Sequence, residues 1–255
     1  HVPETLEVAS GERIRLRLIN AANARIFALD FGDHAPRIIA LDGQPVTPHE
    51  PRDGVVVLGP AMRADVILDC TGKPGTRGQL VDRAYRGNDF RVLDFTYAET
   101  ALREATPDWP IALPANPIPE PDLSSAQRHE VTFTGGMMGM MHDGRGIWFV
   151  NGKAAEGHVL DPFLTLDLGA SHILAMTNAT AFDHPIHLHG HSFRVISRNG
   201  APTQHREWQD TVLMAPRERV EIAFVADNPG DWMFHCHILE HEDAGMMGQF
   251  VVVKS

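Results

Sequence analysis

Two short windows of the sequence concentrate the side chains that bind transition metals. Seven of the 15 histidines fall within residues 184–191 and 235–241. The second window also contains Cys236, one of only two cysteines, and histidine stands on both sides of it. Counting alone would allow a disulfide between Cys70 and Cys236, but the flanking imidazoles favour a metal thiolate. We therefore expect Cys236 to bind a metal ion and Cys70 to be an ordinary buried or edge thiol.

The tripeptide His235-Cys236-His237 can face two metal centres if it lies on a β-strand. Successive side chains of a strand point to opposite faces, so the thiol would face one way and both imidazoles the other. A thiolate-bound metal and an imidazole-bound metal would then be joined by only a few covalent bonds. This arrangement predicts a path for electrons between the two centres.

The thiolate side can be completed by residues that follow Cys236. Cys236, His241 and Met246 are separated by four residues each, a loop length that can fold back on a single ion. Soft sulfur with imidazole suits copper, and two histidines, a cysteine and a weak axial methionine form the blue-copper arrangement. We expect the second imidazole to come from His184, because it lies beyond Pro185, where a backbone turn can direct it to the Cys236 side.

The imidazole side can be completed by a second pair of histidines. His187 and His189 are two residues apart, so they share one face of a strand and can join His235 and His237 around a second metal site. His191 has the same parity, but we expect the end of the strand to carry it away from the cluster. Any one histidine alone would more often be a hydrogen-bonded structural residue, whereas the whole set indicates metal binding.

The composition is that of a globular protein with room for two domains. A chain of 255 residues can form two domains of about 100 to 130 residues, each with its own core. No uninterrupted apolar run approaches the roughly 20 residues that span a bilayer, so we expect no membrane span. The 33 acidic and 22 basic residues give a formal charge of -11, which disfavours nucleic acid as a partner.

Hydrophobic alternation and turn signals predict an all-β protein with two β-sandwiches. Residues 101–130 are rich in proline and too broken for a sheet, and we interpret them as an interdomain linker. A turn or two of helix is expected near Ala101 and after His237. The predicted strands are 13–19, 37–41, 55–58 and 64–68 in the first sandwich and 131–133, 147–150, 164–168, 172–176, 187–196, 219–225 and 231–237 in the second.

The two histidine windows resemble those of the multicopper oxidases, a family that includes laccases and bacterial cuprous oxidases. The resemblance covers the whole chain, and its core is formed by the segments HPIHLHGH and HCHILEHEDAGMM. The segments RLRLINAANAR, ALDGQPVTPHE and GPAMRADVILD resemble the copper-free middle domain of a three-domain enzyme. The resemblance implies two cupredoxin-like Greek-key β-sandwich domains: residues 1–100 would be the middle domain, 101–130 the linker and 131–255 the C-terminal domain.

The resemblance also implies the cofactors and the roles of individual residues. Such an oxidase takes electrons singly from a substrate at a type 1 copper and passes them to a cluster of type 2 and type 3 copper, where dioxygen is reduced to water. Cys236 would conduct the electrons, and Glu242 is similar in position to the acid proposed as a proton donor in bacterial relatives. The type 1 ligands would be His184, Cys236, His241 and Met246, the type 2 ligand His187, and the type 3 ligands His189, His235 and His237.

The family's trinuclear cluster needs eight histidines, and this sequence accounts for four of them. The other half comes from two further His-x-His motifs in the first domain, whereas the His-x-His triplets here are limited to the two windows 187–191 and 235–237. The chain alone would therefore lack one type 2 ligand and three type 3 ligands. It also begins at His1 without an initiator methionine or a signal peptide, so we interpret it as part of a longer protein whose first domain was removed or lies on another chain.

Two other functions compete with the oxidase. A two-domain copper nitrite reductase has a longer loop between the cysteine and the next histidine ligand than the four residues found here. A type 1 copper electron-transfer or copper-carrying protein is the second alternative, because the type 1 ligands are complete in this chain. An oxidase would have as partners dioxygen, a small phenolic or metal-ion reductant and the missing N-terminal cupredoxin domain. Family members are usually exported, which implies a periplasmic or secreted protein.

A methionine-rich segment adds a candidate site for a cuprous substrate. Met137, Met138, Met140 and Met141 form a thioether-rich patch in a glycine-rich loop, and soft thioethers favour Cu(I). Flexible methionines that fill a gap are the competing interpretation. For Asp210 we expect a structural role or support of a nearby ligand.

Overall fold

The protein forms two compact units, both built from β-strands. The computed structural model describes residues 5–136, 147–155 and 161–254. The predicted methionine patch lies outside the described residues. The first unit consists of residues 1–20, 25–58 and 63–115, and the second of residues 21–24, 59–62 and 116–255.

Two sheets make up the first unit. Its strands are β1 (Thr5–Val8), β2 (Glu12–Ile19), β3 (Phe27–Asp30), β4 (Arg37–Leu41), β5 (Gln44–His49), β6 (Val55–Leu58), β7 (Arg63–Cys70), β8 (Arg77–Asp82) and β9 (Phe90–Tyr97). A short 3-10 turn, Arg52–Gly54, precedes β6. The five-stranded sheet has the order β1-β9-β8-β3-β6, and the four-stranded sheet has the order β2-β7-β4-β5. The pairing of β1 with β9 is parallel, and that of β2 with β7 is antiparallel.

The pairing of β2 with β7 shows how alternation in the sequence specifies a sheet position. Val66 and Leu68 of β7 are 0% exposed and point into the core. On the opposite face Arg13 stands across from Asp69, and its Nε and Nη2 atoms donate to the carboxylate at 2.5 and 2.9 Å. The alternation of apolar and charged residues therefore places the apolar set inside and cross-strand ion pairs outside.

Asp82 is a buried carboxylate of the first unit with a full set of hydrogen-bond donors. Its side chain is 0% exposed. Arg25 donates to it from Nε at 3.0 Å and from Nη2 at 2.6 Å. The backbone amides of Ala28 and Ala84 donate to the other carboxylate oxygen at 2.9 and 3.1 Å. The charge of Asp82 is thus held by fixed partners, which a buried carboxylate requires.

His34 and Cys70 of the first unit also have structural surroundings. The hydroxyl of Tyr97 donates to Nε2 of His34 at 2.6 Å, and Nδ1 of His34 donates to the carbonyl of Phe31 at 3.1 Å. Cys70 is 0% exposed and is a free thiol. Burial raises the pKa of Cys70 to about 11, so the thiol is protonated at neutral pH.

The second unit contains a seven-stranded and a five-stranded sheet. Its elements are β10 (Gln127–Gly135), β11 (Trp148–Val150), β12 (Pro162–Asp167), β13 (Ser171–Asn178), β14 (His184–Leu188), β15 (Phe193–Arg198), β16 (Ala201–Pro202), β17 (Trp208–Gln209), β18 (Thr211–Met214), β19 (Arg219–Val225), β20 (Gly230–Cys236), α1 (Leu239–Asp243) and β21 (Met247–Val253). The larger sheet has the order β11-β10-β13-β19-β15-β16, with β17 paired to β15. The smaller sheet has the order β12-β21-β20-β14-β18.

The core of the second unit is aromatic and aliphatic, and it includes two of the candidate metal ligands. Phe133 of the larger sheet stacks on Phe234 of the smaller sheet with ring centroids 5.8 Å apart. Cys236 and Met246 are 0% exposed and belong to the same cluster of buried residues. The sulfur atoms that could bind a metal are therefore part of the apolar core, which fixes their positions.

The structure confirms the all-β fold and corrects two details of the predicted elements. The predicted strand 187–196 is wrong: β14 ends at Leu188 and β15 begins at Phe193, with a turn around Gly190, whose φ of +72° suits glycine. The helix expected near Ala101 is absent, since residues 99–104 form bends, whereas the helix expected after His237 is α1. Strand β10 begins at Gln127, within the segment interpreted as a linker.

No membrane-spanning helix is found in the part of the chain that the structure describes.

Candidate metal centre

Strands β14 and β20 position the candidate ligands on two faces of the smaller sheet. In the antiparallel ladder Ile186 stands opposite Cys236, and His187 stands opposite His235. Residues opposite each other share a face, so Ile186 and Cys236 point one way and His187 and His235 the other. His184 is two residues before Ile186 in the same strand and therefore lies on the Cys236 face. The turn predicted at Pro185 is wrong, because ordinary strand alternation already directs His184 toward the thiol.

The thiolate site is defined here as His184, Cys236, His241 and Met246, and the donor atoms of the two histidines and the cysteine converge. Sγ of Cys236 lies 3.5 Å from Nδ1 of His184 and 3.6 Å from Nδ1 of His241, and the two nitrogen atoms are 3.0 Å apart. His184, Cys236 and Met246 are 0% exposed, whereas His241 is partly exposed. The carbonyl of Met246 accepts a hydrogen bond from the amide of Cys236 at 3.1 Å, which ties the two residues together.

A buried hydrogen-bond chain fixes which nitrogen of His184 faces the thiol. The Nδ2 atom of Asn178 donates to the carbonyls of Phe182 and Ala215, both at 2.8 Å, so its Oδ1 atom must face Thr180. The hydroxyl of Thr180 donates to that Oδ1 at 2.8 Å. Because this hydroxyl hydrogen is already donated to Asn178, the hydroxyl oxygen of Thr180 accepts the hydrogen bond of 2.8 Å from Nε2–H of His184. The lone pair of His184 is therefore on Nδ1, which points at Cys236.

Burial keeps the thiolate site uncharged at neutral pH when no metal is bound. Burial and, secondarily, the nearby His241 lower the pKa of His184 to about 3. Burial also lowers the pKa of His241 and raises the pKa of Cys236. Both imidazoles are consequently neutral and offer lone pairs, and a bound metal cation would stabilise the thiolate form of Cys236.

A second group of rings, the imidazole site, lies on the other face of the sheet and consists of His187, His189, His235 and His237. The Nε2 atoms of His189 and His235 are 3.0 Å apart. The ring centroid of His187 lies 4.8 Å from that of His189, 5.7 Å from that of His235 and 5.8 Å from that of His237. His189 follows the end of β14, but its amide donates to the carbonyl of Met233 at 3.0 Å, which holds it beside β20.

Hydrogen bonds donated by Nδ1 leave the Nε2 atoms of two of these rings unprotonated. Nδ1 of His187 donates to the backbone carbonyl of Asp210 at 2.9 Å, so the main chain at Asp210 orients this candidate ligand. Nδ1 of His235 donates to the carbonyl of Cys236 at 2.9 Å, with Oε2 of Glu242 at 3.3 Å. Such contacts orient imidazole ligands and fix their tautomers.

The remaining histidines of the two windows differ from one another. Burial, followed by repulsion from His187 and His235, lowers the pKa of His189 to about 4. Nδ1 of His237 is buried and has no hydrogen-bond partner in the described residues. The ring of His191 packs against three aromatic side chains of the core, those of Phe224, Trp232 and Phe250.

The donor sets fit copper. Metal bonds of about 2.0 Å to nitrogen and 2.3 Å to sulfur, at angles between tetrahedral and trigonal, place neighbouring donors roughly 3.3–3.7 Å apart. The two sulfur–nitrogen separations of 3.5 and 3.6 Å match this spacing, and the nitrogen–nitrogen separation of 3.0 Å is slightly shorter. Thiolate, imidazole and thioether donors together are the ligands of blue copper, and an all-imidazole set also suits copper.

Sequence reasoning missed the residues that support the thiolate site. Asn178 and Thr180 orient His184, and Trp148 packs its ring 4.3 Å from the ring of His241. One available signal was the presence of Asn178 at the end of an apolar strand, followed two residues later by a hydroxyl. No local pattern connects Trp148 with His241, which is 93 residues away in the sequence.

The fold and the site together define a class of β-sandwich protein with a candidate copper centre built from cysteine and histidine. Two family models match the chain, both described as multicopper oxidase: one covers residues 124–255 and the other residues 2–77. The chain belongs to the multicopper oxidase family, as the motifs predicted. Members of this family bind copper, and their domains are cupredoxin-like β-sandwiches.

Individual relatives agree with the family match. The chain is 29% identical to a multicopper oxidase of Mycobacterium tuberculosis over 256 residues, which cover 92% of this chain and 45% of the relative. It is 30% identical to a multicopper oxidase of Staphylococcus haemolyticus, with 96% of this chain and 49% of the relative covered. Laccases and a bilirubin oxidase are further relatives.

A solved structure has the same fold. The crystal structure of a multicopper oxidase from Pseudomonas thermotolerans superposes with a TM-score of 0.85 and 32% identity, covering 98% of this chain and 57% of that one. The chain thus spans about half the length of the curated relatives that it matches.

Proposed function

We propose that this chain is the copper-binding C-terminal portion of a multicopper oxidase that couples one-electron oxidation of a substrate to four-electron reduction of dioxygen to water. The observation that carries the proposal is the position of Cys236. Its sulfur faces two imidazole Nδ1 atoms at 3.5 and 3.6 Å, while its neighbour His235 faces another histidine on the opposite side of the sheet. One strand therefore serves two donor sets.

The proposed domain organisation follows the family. Residues 1–100 would form the copper-free middle domain, residues 101–130 the linker, and residues 131–255 the C-terminal domain. The first unit supports this proposal because its buried polar groups, such as Asp82 and His34, are occupied by fixed protein partners. The second unit contains both donor sets.

The proposed ligands follow the two donor sets. The thiolate site would hold the type 1 copper through His184, Cys236, His241 and Met246. The imidazole site would hold type 2 copper through His187 and contribute to the type 3 pair. The type 3 ligands from this chain would be His189, His235 and His237.

Copper bound at these sites would supply one-electron acceptance from the substrate and the redox chemistry of dioxygen reduction. The protein contributes geometry and a short electronic link. His241 is the partly exposed residue of the thiolate site, so a substrate can approach its ring edge. Cys236 connects to His235 through the backbone and through the hydrogen bond of 2.9 Å from Nδ1 of His235 to the Cys236 carbonyl. Because the protein holds the donor atoms in fixed positions, the site rearranges less during each electron transfer.

The imidazole site needs further ligands to make a trinuclear cluster. Outside residues 187–191 and 235–237 the sequence has no His-x-His triplet, and the family's cluster takes four more histidines from its first domain. We propose that an N-terminal cupredoxin domain, in a longer form of this chain or on another chain, supplies them. Export of such an oxidase to the periplasm or the medium is part of the same proposal.

Glu242 is proposed to deliver protons for dioxygen reduction. Its Oε2 atom lies 3.3 Å from Nδ1 of His235, and the residue also lines a cavity of about 710 Å³ together with Glu240, Asp243 and Met247. A carboxylate between the imidazole site and a polar cavity can accept a proton from water and hold it near the cluster. In the complete oxidase, Glu242→Gln should slow dioxygen reduction and leave the visible absorption of the thiolate site intact. Unchanged turnover would refute the proton-donor role.

Visible absorption and oxygen uptake, measured on one copper-loaded sample, test the proposed function. An oxidase with its first domain present should show the strong visible band of a copper thiolate and consume dioxygen with a phenolic or Cu(I) reductant. A chain that shows the band but no uptake in that complete form would instead be an electron-transfer or copper-carrying protein. The completeness of the thiolate site favours this second function for the 255-residue chain by itself. Absence of the visible band would contradict both functions.

A further inference from the structure

The indole of Trp148 covers the thiolate site. Its ring centroid lies 4.3 Å from that of His241 and 5.1 Å from that of His184, so one side chain contacts both imidazoles. Trp148 is only 6% exposed, although it begins a three-residue strand at the edge of the larger sheet. None of the proposed ligand, electron-transfer or proton-transfer roles uses this side chain.

Backbone contacts attach Trp148 to the loop that carries two of the proposed ligands. The amide of Trp148 donates to the carbonyl of Ala244 at 3.1 Å, between His241 and Met246 in the sequence. A Cβ atom at Gly245 would lie 2.7 Å from the carbonyl oxygen of Trp148, so this close approach requires glycine. The position of the indole is therefore coupled to the ligand loop itself and does not depend on side-chain packing alone.

Neighbouring residues also fit closely around the indole of Trp148. A Cβ atom at Gly136 would lie 3.2 Å from the indole and 3.1 Å from the ring of Phe182. Phe182 meets Trp148 edge-on at 5.4 Å and lies 6.3 Å from His241, but it is 43% exposed. The buried indole and the exposed phenyl ring thus flank His241, which is the part of the thiolate site that solvent reaches.

We propose that Trp148 is a positioning residue of the copper centre, which holds the ring of His241 in its ligating orientation and keeps water away from the thiolate site. The inference rests on the proposed function, because it concerns the copper that this site would bind. An apolar, water-free surrounding disfavours Cu(II) relative to Cu(I), since the higher charge loses more hydration. Trp148 therefore raises the reduction potential of the site.

The test compares substitutions of Trp148 in the copper-loaded protein. Trp148→Ala removes the ring and admits water, so the ratio of Cu(II) affinity to Cu(I) affinity should rise about tenfold, which corresponds to a fall of about 59 mV in reduction potential. The electron paramagnetic resonance spectrum should move toward that of a water-exposed copper site. Trp148→Phe keeps an aromatic face against His241 and should retain most of the wild-type potential.

Two controls separate this role from general packing. Trp208 is a comparably buried tryptophan, 7% exposed, which packs its ring on Arg194 at 4.2 Å. Trp208→Ala should lower stability and leave the reduction potential unchanged. Phe182→Ala removes the exposed ring and should change the potential much less than Trp148→Ala, because Phe182 already borders solvent.

The outcomes distinguish this inference from the proposed function. A wild-type protein without copper-thiolate absorption would overturn both. If the wild type shows the band and Trp148→Ala keeps its potential and resonance spectrum, the positioning role alone is wrong. Should Trp148→Ala fail to fold, Trp148→Gln replaces it, since glutamine fills part of the space but brings a polar group that attracts water. Wild-type potential in Trp148→Gln would equally overturn the inference.

Discussion

The two β units bury polar side chains in different ways. In the first unit Asp82 receives four hydrogen bonds from protein donors, and His34 is bonded at both ring nitrogens. In the second unit the thiol of Cys236 and the Nδ1 atoms of two histidines face each other. These three donor atoms are neutral or weakly polar, so they do not attract one another strongly. A buried polar group whose hydrogen bonds are all made within the protein stabilises the fold, whereas buried lone pairs that point at one position are arranged to bind a ligand.

The two cysteines make the same contrast within one residue type. Both are buried free thiols, and burial raises the pKa of each. Cys70 ends a strand of the first unit, whereas Cys236 lies among imidazoles in the second. Burial alone therefore does not make a metal ligand, and the neighbouring donors decide the function.

Exchange of each cysteine for serine should give the largest difference between the units. Cys236→Ser removes the thiolate, so the copper-thiolate absorption should disappear completely. Cys70→Ser is the matched control and should keep the full absorption band, because Cys70 lies in the unit without the donor sets. Titration with Cu(II), followed by visible spectroscopy, measures both variants. A Cys236→Ser protein that keeps the copper-thiolate absorption would contradict the assignment of Cys236 as the metal ligand.

Removal of Asp82 should cost stability without affecting copper. Asp82→Ala leaves the amides of Ala28 and Ala84 without their acceptor and should lower the free energy of unfolding by about 2–4 kcal/mol. Urea unfolding measures the loss, and the visible spectrum of the copper-loaded variant serves as the control. A change in that spectrum would show that the first unit influences the copper centre.

The pH dependence of stability provides a second test of Asp82. Burial by itself would raise the pKa of Asp82, but hydrogen bonds from Ala28, Arg25 and Ala84 outweigh it and hold the pKa below its usual value. The stabilisation is therefore present above the ordinary aspartate pKa of about 3.9 and is lost as the pH falls through the folded-state value. Acid unfolding followed by circular dichroism should show a smaller loss below about pH 4 in Asp82→Asn than in the wild type. Equal losses would contradict this assignment.

Thr180→Val should weaken copper binding by about tenfold, a smaller effect than loss of the thiolate. Valine has nearly the same shape but cannot accept the hydrogen bond from Nε2 of His184, so the ring is no longer held in its ligating tautomer. Competition with a chelator measures the affinity for Cu(II). Wild-type affinity in a folded Thr180→Val protein would mean that packing alone orients His184.

Tyr97→Phe is the counterpart of Thr180→Val in the first unit and should have the smallest effect. It removes the hydroxyl that donates to Nε2 of His34 and should lower the free energy of unfolding by about 1 kcal/mol. Copper affinity should stay at the wild-type value, because His34 is not a proposed ligand. Urea unfolding and the same chelator competition provide the two measurements. A loss of copper affinity in this variant would erase the distinction between the two histidine environments.

The local sequence already contained much of the fold and of the candidate site. Apolar alternation predicted β2, β4, β6 and β19 closely, because a strand with one buried face repeats every two residues. The same alternation at His235-Cys236-His237 predicted two faces with different donors, and the motifs around it predicted the family. These features depend on neighbours in the chain, so the sequence alone could determine them.

Only the tertiary structure decided how distant segments meet. The ladder between β14 and β20 places His184 on the Cys236 face by simple alternation, where the sequence had suggested a turn at Pro185. Gly190 adopts a left-handed conformation that divides the predicted strand 187–196. The chain Asn178-Thr180-His184 and the packing of Trp148 on His241 depend on side-chain contacts in a folded core. Such contacts arise from three-dimensional packing between segments, and no local periodicity in the sequence encodes them.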